Sequence, residues 1–173
     1  PRSESDVQGI LRKYLLNYGH YLLVVATLEP RKNLQGLITA YMLLPVSVRR
    51  RFPLVLVGGR GWKSSALEKT IAHLESAGEI MRLGYLPDFE LPAIYAGAGA
   101  FAFPSHYEGF GLPPLEAMAS GTVAVATNNG GIVDIIKDGV TGYLISPASS
   151  QAIADKITII LKNPDQRRDI EKA

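Results

Sequence analysis

Cysteine is absent from this 173-residue chain, which excludes a disulfide framework, a thiolate metal site and a cysteine nucleophile. The absence is compatible with the cytosol. The three histidines, His20, His73 and His106, share no metal-ligand spacing. No run of eighteen apolar residues occurs, so no membrane span is expected. No signal peptide is expected, since the start Pro1–Asp6 is polar and mixed in charge. The chain opens in a helix-like stretch and ends among charged residues, which suits a piece of something larger. A net charge of +2 is too small to argue for nucleic acid. Arg49, Arg50 and Arg51 form the one basic cluster, read as a solvated helix end rather than a surface for membrane or acidic partners. No Ser/His/Asp order, acidic metal cluster or nucleic-acid motif stands out.

What is present is an ordinary globular composition, 47% hydrophobic and 20% charged, in one domain-sized chain. Apolar, strand-like runs alternate with helical patterns. Strands are expected at Tyr21–Thr27, Leu54–Val57, Ile80–Tyr85, Ala100–Phe103, Val123–Thr127 and Gly142–Ile145. Helices are expected at Asn33–Leu44, Ser64–Ala77, Asp88–Ala96 with Asp88 as N-cap, Pro113–Ser120, Ile132–Lys137, Ser149–Leu161 and Asp165–Lys172. Most strands are continuously apolar, as in a parallel sheet covered on both faces. The alternation predicts a doubly wound α/β fold of six strands, each followed by a helix. With strand order 3-2-1-4-5-6, ligands bind at the carboxyl ends of strands 1 and 4, where the winding direction switches. The loops expected to face each other there are Thr27–Asn33 and Glu108–Glu116.

The segment Pro104-Ser-His-Tyr-Glu-Gly-Phe-Gly-Leu-Pro-Pro-Leu-Glu116 carries the most information. It joins a strand, a loop with Gly109 and Gly111, and a Pro-Pro helix start. A helix N-terminus offers backbone N–H groups to a phosphate. Glu108 and Glu116 cannot bind phosphate but suit hydroxyl donors, so the ligand chemistry is part phosphate and part sugar. Glu116 alone reads as a dipole complement; its pairing with Glu108 raises it. Arg31 and Lys32 lie beside a helix start, where two cations need a bound anion or Glu29 to offset the dipole. Gly58-Gly59-Arg60-Gly61 resembles a P-loop superficially, but Trp62 separates Gly61 from Lys63 and the spacing fails. His106 is equally a pocket or a surface residue, and Asp134 and Asp138 read as cap or turn residues.

Glu108-Gly-Phe-Gly-Leu-Pro-Pro-Leu-Glu116, followed by Ala-Met-Ala-Ser-Gly121, resembles the E-x7-E signature of retaining glycosyltransferases, specifically glycosyltransferase family 4. Thr27–Asn33, Leu54–Gly58, Leu83–Asp88 and Asp138–Leu144 also match family segments. The resemblance implies a Rossmann-like doubly wound parallel sheet of about six strands, the C-terminal, donor-binding half of a GT-B fold. All of 1–173 would be that one domain, without the N-terminal acceptor domain. The fragment alone is then expected to be inactive. The resemblance gives catalytic roles to Glu108, on the transferred sugar's hydroxyls, and Lys32, on the departing diphosphate. It gives donor binding to Arg31, to backbone groups of Phe110, Gly111 and Leu112, to Glu116 on the ribose, and to Gly84, Tyr85 and Leu86 at the base. Many relatives carry Gly-Arg where this chain has Ala26-Thr27, and Arg31 is the expected substitute.

The resemblance further implies transfer with retention, without metal or cofactor. The Thr27–Asn33 variant is similar to bacterial mannosyl- and rhamnosyltransferases of surface-polysaccharide assembly, which implies GDP-mannose rather than a UDP-sugar. The acceptor would be a glycan or lipid-linked glycan bound by the missing domain, at the cytoplasmic membrane face. Two other readings stand beside it: a GT-B nucleotide-sugar epimerase, and a non-catalytic nucleotide-binding module.

Overall fold

The computed structural model describes residues 4–27, 29–59, 65–107, 111–146, 148–163 and 170. Six parallel strands form one sheet: β1 (Leu22–Val25), β2 (Leu54–Val57), β3 (Ile80–Gly84), β4 (Ala100–Phe103), β5 (Ala124–Thr127) and β6 (Tyr143–Ile145). Their spatial order is β3-β2-β1-β4-β5-β6, the expected switch-point topology. β2, β4 and β5 are buried along their whole length, which explains their unbroken apolar runs. β3 lies at an edge and is only partly buried. Its Arg82 reaches Glu68 and Glu75 at 2.7 and 2.5 Å.

The helices are α1 (Glu4–Lys13), α2 (Leu34–Leu43), α3 (Val46–Arg51), α4 (Ser65–Ser76), α5 (Leu91–Ala96), α6 (Leu112–Ala119), α7 (Ile132–Ile135) and α8 (Ser150–Lys162). One core packs α2, α4 and α8 on one sheet face; a second packs α1, α5, α6 and α7 on the other. The sequence makes α8 plainly. Ser149 accepts the Ala152 N–H at 3.1 Å, and Ile153, Ile157 and Ile160 recur at helical spacing on the buried side. Each buried isoleucine contributes about 1.5–3 kcal/mol.

Several boundaries differ from expectation. β1 is followed by two helices, because Pro45 ends α2 and α3 fills the path to β2. Helix α5 starts at Leu91, not Asp88: Pro92 sets its first turn, and Glu90 occupies the N-cap position without a side-chain cap bond. Most of the expected helix 165–172 lies outside the described residues; Ile170 is helical and buried in the first core.

Arg49 is not a solvated helix end. It bonds Glu79 at 2.7 Å, with side chains only 16% and 10% exposed, and donates to the Met42 and Leu44 carbonyls at 3.0 and 2.8 Å. Beside it the buried Tyr41 hydroxyl donates to the Glu79 carbonyl at 2.8 Å. Three adjacent arginines look alike in sequence; only the packing of α3 onto the start of β3 separates Arg49 from exposed Arg50 and Arg51. Across the sheet, Lys13 at 2.6 Å and the Tyr14 hydroxyl both bond buried Glu90, tying α1 to α5.

Candidate functional site

The carboxyl edge of the sheet opens between β1 and β4. β1 pairs with β2 over four residues, Leu22 to Val25, but with β4 only at Leu22 and Leu23. Beyond Leu23 the two central strands leave the ladder, and the loop after β1 borders a crevice at the carboxyl edge of the sheet. A cavity of about 320 Å³ borders it on the β2–β3 side, lined by Val24, Ala26, Leu56, Gly58, Arg82 and Gly84 among others. Gly58 is needed there: its φ is +136°, and a Cβ would fall 2.2 Å from the Ala26 carbonyl oxygen.

After β1 the chain makes a 3-10 turn at Pro30–Lys32, and Asn33 caps α2 from a left-handed conformation, its side chain accepting the Gly36 N–H. The two cations therefore sit in a separate turn ahead of the helix. Glu29 offsets Arg31: the pair bonds at 2.8 Å, and the Thr27 hydroxyl donates to the other Glu29 oxygen at 2.5 Å. Those bonds hold the Glu29 carboxyl below its ordinary range, the Thr27 bond first and Arg31 next. The Lys32 ammonium lies 5.4 Å from the centre of the Phe103 ring, at the end of β4. Lys32 thus sits where the turn after β1 meets the end of β4, with Arg31 beside it in the same turn.

The loop after β4 meets this turn directly. The His106 N–H donates to the Arg31 carbonyl at 2.8 Å. The Asn33 amide donates to the Pro104 carbonyl at 3.1 Å. From the other side, Asn129 donates to the Ser105 and His106 carbonyls at 3.1 and 2.7 Å, and the buried Thr127 hydroxyl donates to Ser105 at 2.5 Å. Sequence reading placed Asn33 and Thr127 only as element boundaries and passed over Asn129. A polar residue bonding a backbone carbonyl leaves no periodic trace. Glu108, Gly109 and Phe110 lie outside the described residues, as do 60–64. Exposed His106 lines a separate cavity of about 530 Å³ with Glu29, Asn33 and Ser150.

Gly111 caps α6 with φ 81°, and a Cβ there would meet Ile132 at 2.8 Å, so both turn and packing demand glycine. Leu112 is 60% exposed and opens the eight-residue helix α6. One turn on, Glu116 accepts a hydrogen bond from the Tyr95 hydroxyl at 3.1 Å and lines a second cavity of about 380 Å³ with Asp88, Leu91 and Ser120. Burial, then the Glu116 charge, keeps the Tyr95 proton far above its ordinary range, so this donor is permanent. Gly84 ends β3 with φ 68°; Tyr85 behind it is 78% exposed and Leu86 is buried. The three expected base-side residues therefore sit at the sheet edge. β3 and β4 are three strand spacings apart, about 14 Å. Asp138 has the turn role expected, accepting the Leu144 N–H at 2.9 Å. Among the described residues no group of His, Asp or Glu is arranged to hold a metal, and no helix is long and apolar enough to cross a membrane.

Comparison with known proteins places this geometry. The family model described as glycosyl transferases group 1 matches residues 12–173. O-antigen chain mannosyltransferase B of Escherichia coli is 42% identical over 173 residues, all of this chain and 45% of that protein. The chain thus spans about half the length of that curated relative. The crystal structure of Anabaena Alr3699/HepE in complex with UDP superposes with a TM-score of 0.85 at 25% identity, over 98% of this chain and 46% of the other. The crystal structure of the C-terminal domain of a glycosyl transferase group 1 family protein, LpcC, from Francisella tularensis gives 0.82 at 29% identity, over 98% of this chain and 89% of that one. The switch-point crevice, the sheet order and these likenesses agree, and the chain belongs to the glycosyl transferases group 1 family, with the fold of the C-terminal half of a GT-B enzyme.

Proposed function

We propose that this chain is the donor-binding domain of a retaining hexosyltransferase that moves mannose from GDP-mannose to a glycan or lipid-linked acceptor held by another part of the protein. The observation that carries the reading is the meeting of the Arg31–Lys32 turn with the loop after β4, beside the N-terminus of α6. In this reading the cations of that turn and the helix N-terminus after β4 serve one diphosphate, with a carboxylate a turn further on. The E. coli relative's name supports mannose, whereas the Anabaena structure holds UDP, which makes the base the first thing to test.

In this reading Lys32 and the backbone N–H groups at Phe110, Gly111 and Leu112 stabilise the negative charge that grows on the departing diphosphate. Such preorganised donors act where charge develops, which is where they accelerate reaction most. Glu116 accepts from the ribose hydroxyls, its second oxygen steadied by Tyr95. Glu108 accepts from hydroxyls of the transferred hexose. Gly84, Tyr85 and Leu86 border the base, and the span of about 14 Å from β3 to β4 leaves room for the diphosphate between. Arg31 reaches the diphosphate by exchanging its Glu29 contact for a phosphate oxygen. Neither a metal nor another cofactor has a role in this scheme, and the acceptor approaches from the cytoplasmic face of the membrane.

Calorimetric titration with GDP, UDP and ADP tests the reading, using the wild-type chain, Lys32→Ala and Glu116→Ala. We expect one nucleotide to bind best and each substitution to weaken it tenfold or more. Absence of binding to both this chain and the full-length protein, or affinity untouched by both substitutions, overturns it.

A further inference from the structure

The three carbonyls that follow β4 are gripped in succession by side chains from both neighbouring strands. Asn33, after β1, holds Pro104; Thr127, at the end of β5, holds Ser105; Asn129 holds Ser105 and His106 together. The next backbone donor, His106 N–H, is bound to the Arg31 carbonyl. Loops ordinarily give such carbonyls to water. Here side-chain amides and a hydroxyl have replaced it, and Thr127 is fully buried while Asn33 is 8% exposed. The Asn129 carboxamide spends both N–H groups on this loop and leaves its own oxygen buried without a partner, a cost the two carbonyl bonds must outweigh.

We propose that Thr127 and Asn129, with Asn33, are positioning residues of the donor site. They fix the direction in which the chain leaves β4 and lock that loop to the Arg31–Lys32 turn, so the two loops move as one body. None of the three needs to touch the donor. Their effect is on the placement of groups that do, and small displacements of such groups are costly to rate. The functional half of this inference rests on the donor-site reading; the mechanical half does not.

The test compares Thr127→Val, which keeps shape and removes the donor, Thr127→Ser, which keeps the donor, and Asn129→Ala. Residue-resolved amide exchange of the ligand-free domain reads the His106 amide against the amides of α8. Thr127→Val and Asn129→Ala should speed exchange at His106 tenfold or more, leave α8 within twofold, and Thr127→Ser should restore protection. Unchanged exchange at His106, or an equal rise in α8, overturns the proposal and leaves only a general stabilising role. In the full-length protein, with whichever of GDP-mannose and UDP-glucose the wild type consumes, both disruptive variants should lower kcat tenfold or more with KM within threefold. A normal kcat beside a loosened His106 amide overturns the link to the site. If the wild type consumes neither donor, the donor reading is what fails, and amide exchange still decides the mechanical claim.

Discussion

Replacing Arg49 by methionine should destabilise the domain by about 3 kcal/mol, the low end of the range for breaking a buried ion pair from one side. Glu79 is left charged with its side chain only 10% exposed, and the Met42 and Leu44 carbonyls lose the donors that reached them at 3.0 and 2.8 Å. The low end applies because Arg49 itself is 16% exposed, so water partly replaces it. In a domain of this length each kcal/mol moves Tm by about 2–4 °C, so Tm should fall by roughly 6–12 °C. Urea unfolding followed by circular dichroism gives the free energy directly, provided the m value stays constant. The double variant Arg49→Met with Glu79→Leu removes both charges and should lose less than Arg49→Met alone, because no orphaned carboxylate remains. A single-variant loss under about 1 kcal/mol would place Arg49 among the surface ion pairs. Strictly additive losses in the double variant would show that the two residues do not act as a pair.

Tyr95→Phe removes the donor to Glu116 and should cost about 1 kcal/mol in urea unfolding; it should also weaken the preferred nucleotide severalfold by calorimetry, and unchanged affinity would detach Glu116 from the ribose. Gly111→Ala meets both a left-handed φ of 81° and the Ile132 side chain at 2.8 Å, so a loss of roughly 1–3 kcal/mol is expected, and a neutral result would refute that geometry. The Glu29 carboxyl is depressed, so its tie to Arg31 is complete above its ordinary value of 4.5 and is lost only as pH falls through a lower folded value. An NMR titration of Glu29 with a midpoint at or above 4.5 would contradict the Thr27 and Arg31 bonds.

The sheet was legible because its physics is repetitive. Strands such as Leu54–Val57 and Ala100–Phe103 are buried on both faces and so are written as unbroken apolar runs. The placement of Arg31 and Lys32 followed from topology, since strands 1 and 4 must adjoin in this winding. What escaped was specific polar pairing. The partner of Arg49 is 30 residues away, and the partners of Thr127 and Asn129 lie 22 to 24 residues away on backbone atoms that carry no residue identity. Asp88 showed the opposite error: a good capping side chain was credited with a helix start that Pro92 dictates.

The short ladder between β1 and β4 has a consequence for how this domain can vary. The sheet is two wound halves, and the β1–β4 ladder that joins them registers at two residue pairs, flanked by the Gly99 N–H on the Tyr21 carbonyl and the His106 N–H on the Arg31 carbonyl, each at 2.8 Å. Behind the sheet the halves are held by side chains, where α2 packs on α8 and where Ser150 donates to the Gly36 carbonyl at 3.1 Å. Ladder geometry is rigid, whereas side-chain packing adjusts to volume. The angle between the halves is therefore tunable by substitutions at Leu37, Ile38, Ile153 or Ile157, buried residues behind the sheet. A methyl group gained or lost at that buried hinge would change the width of the mouth while every ligand-facing side chain stayed the same.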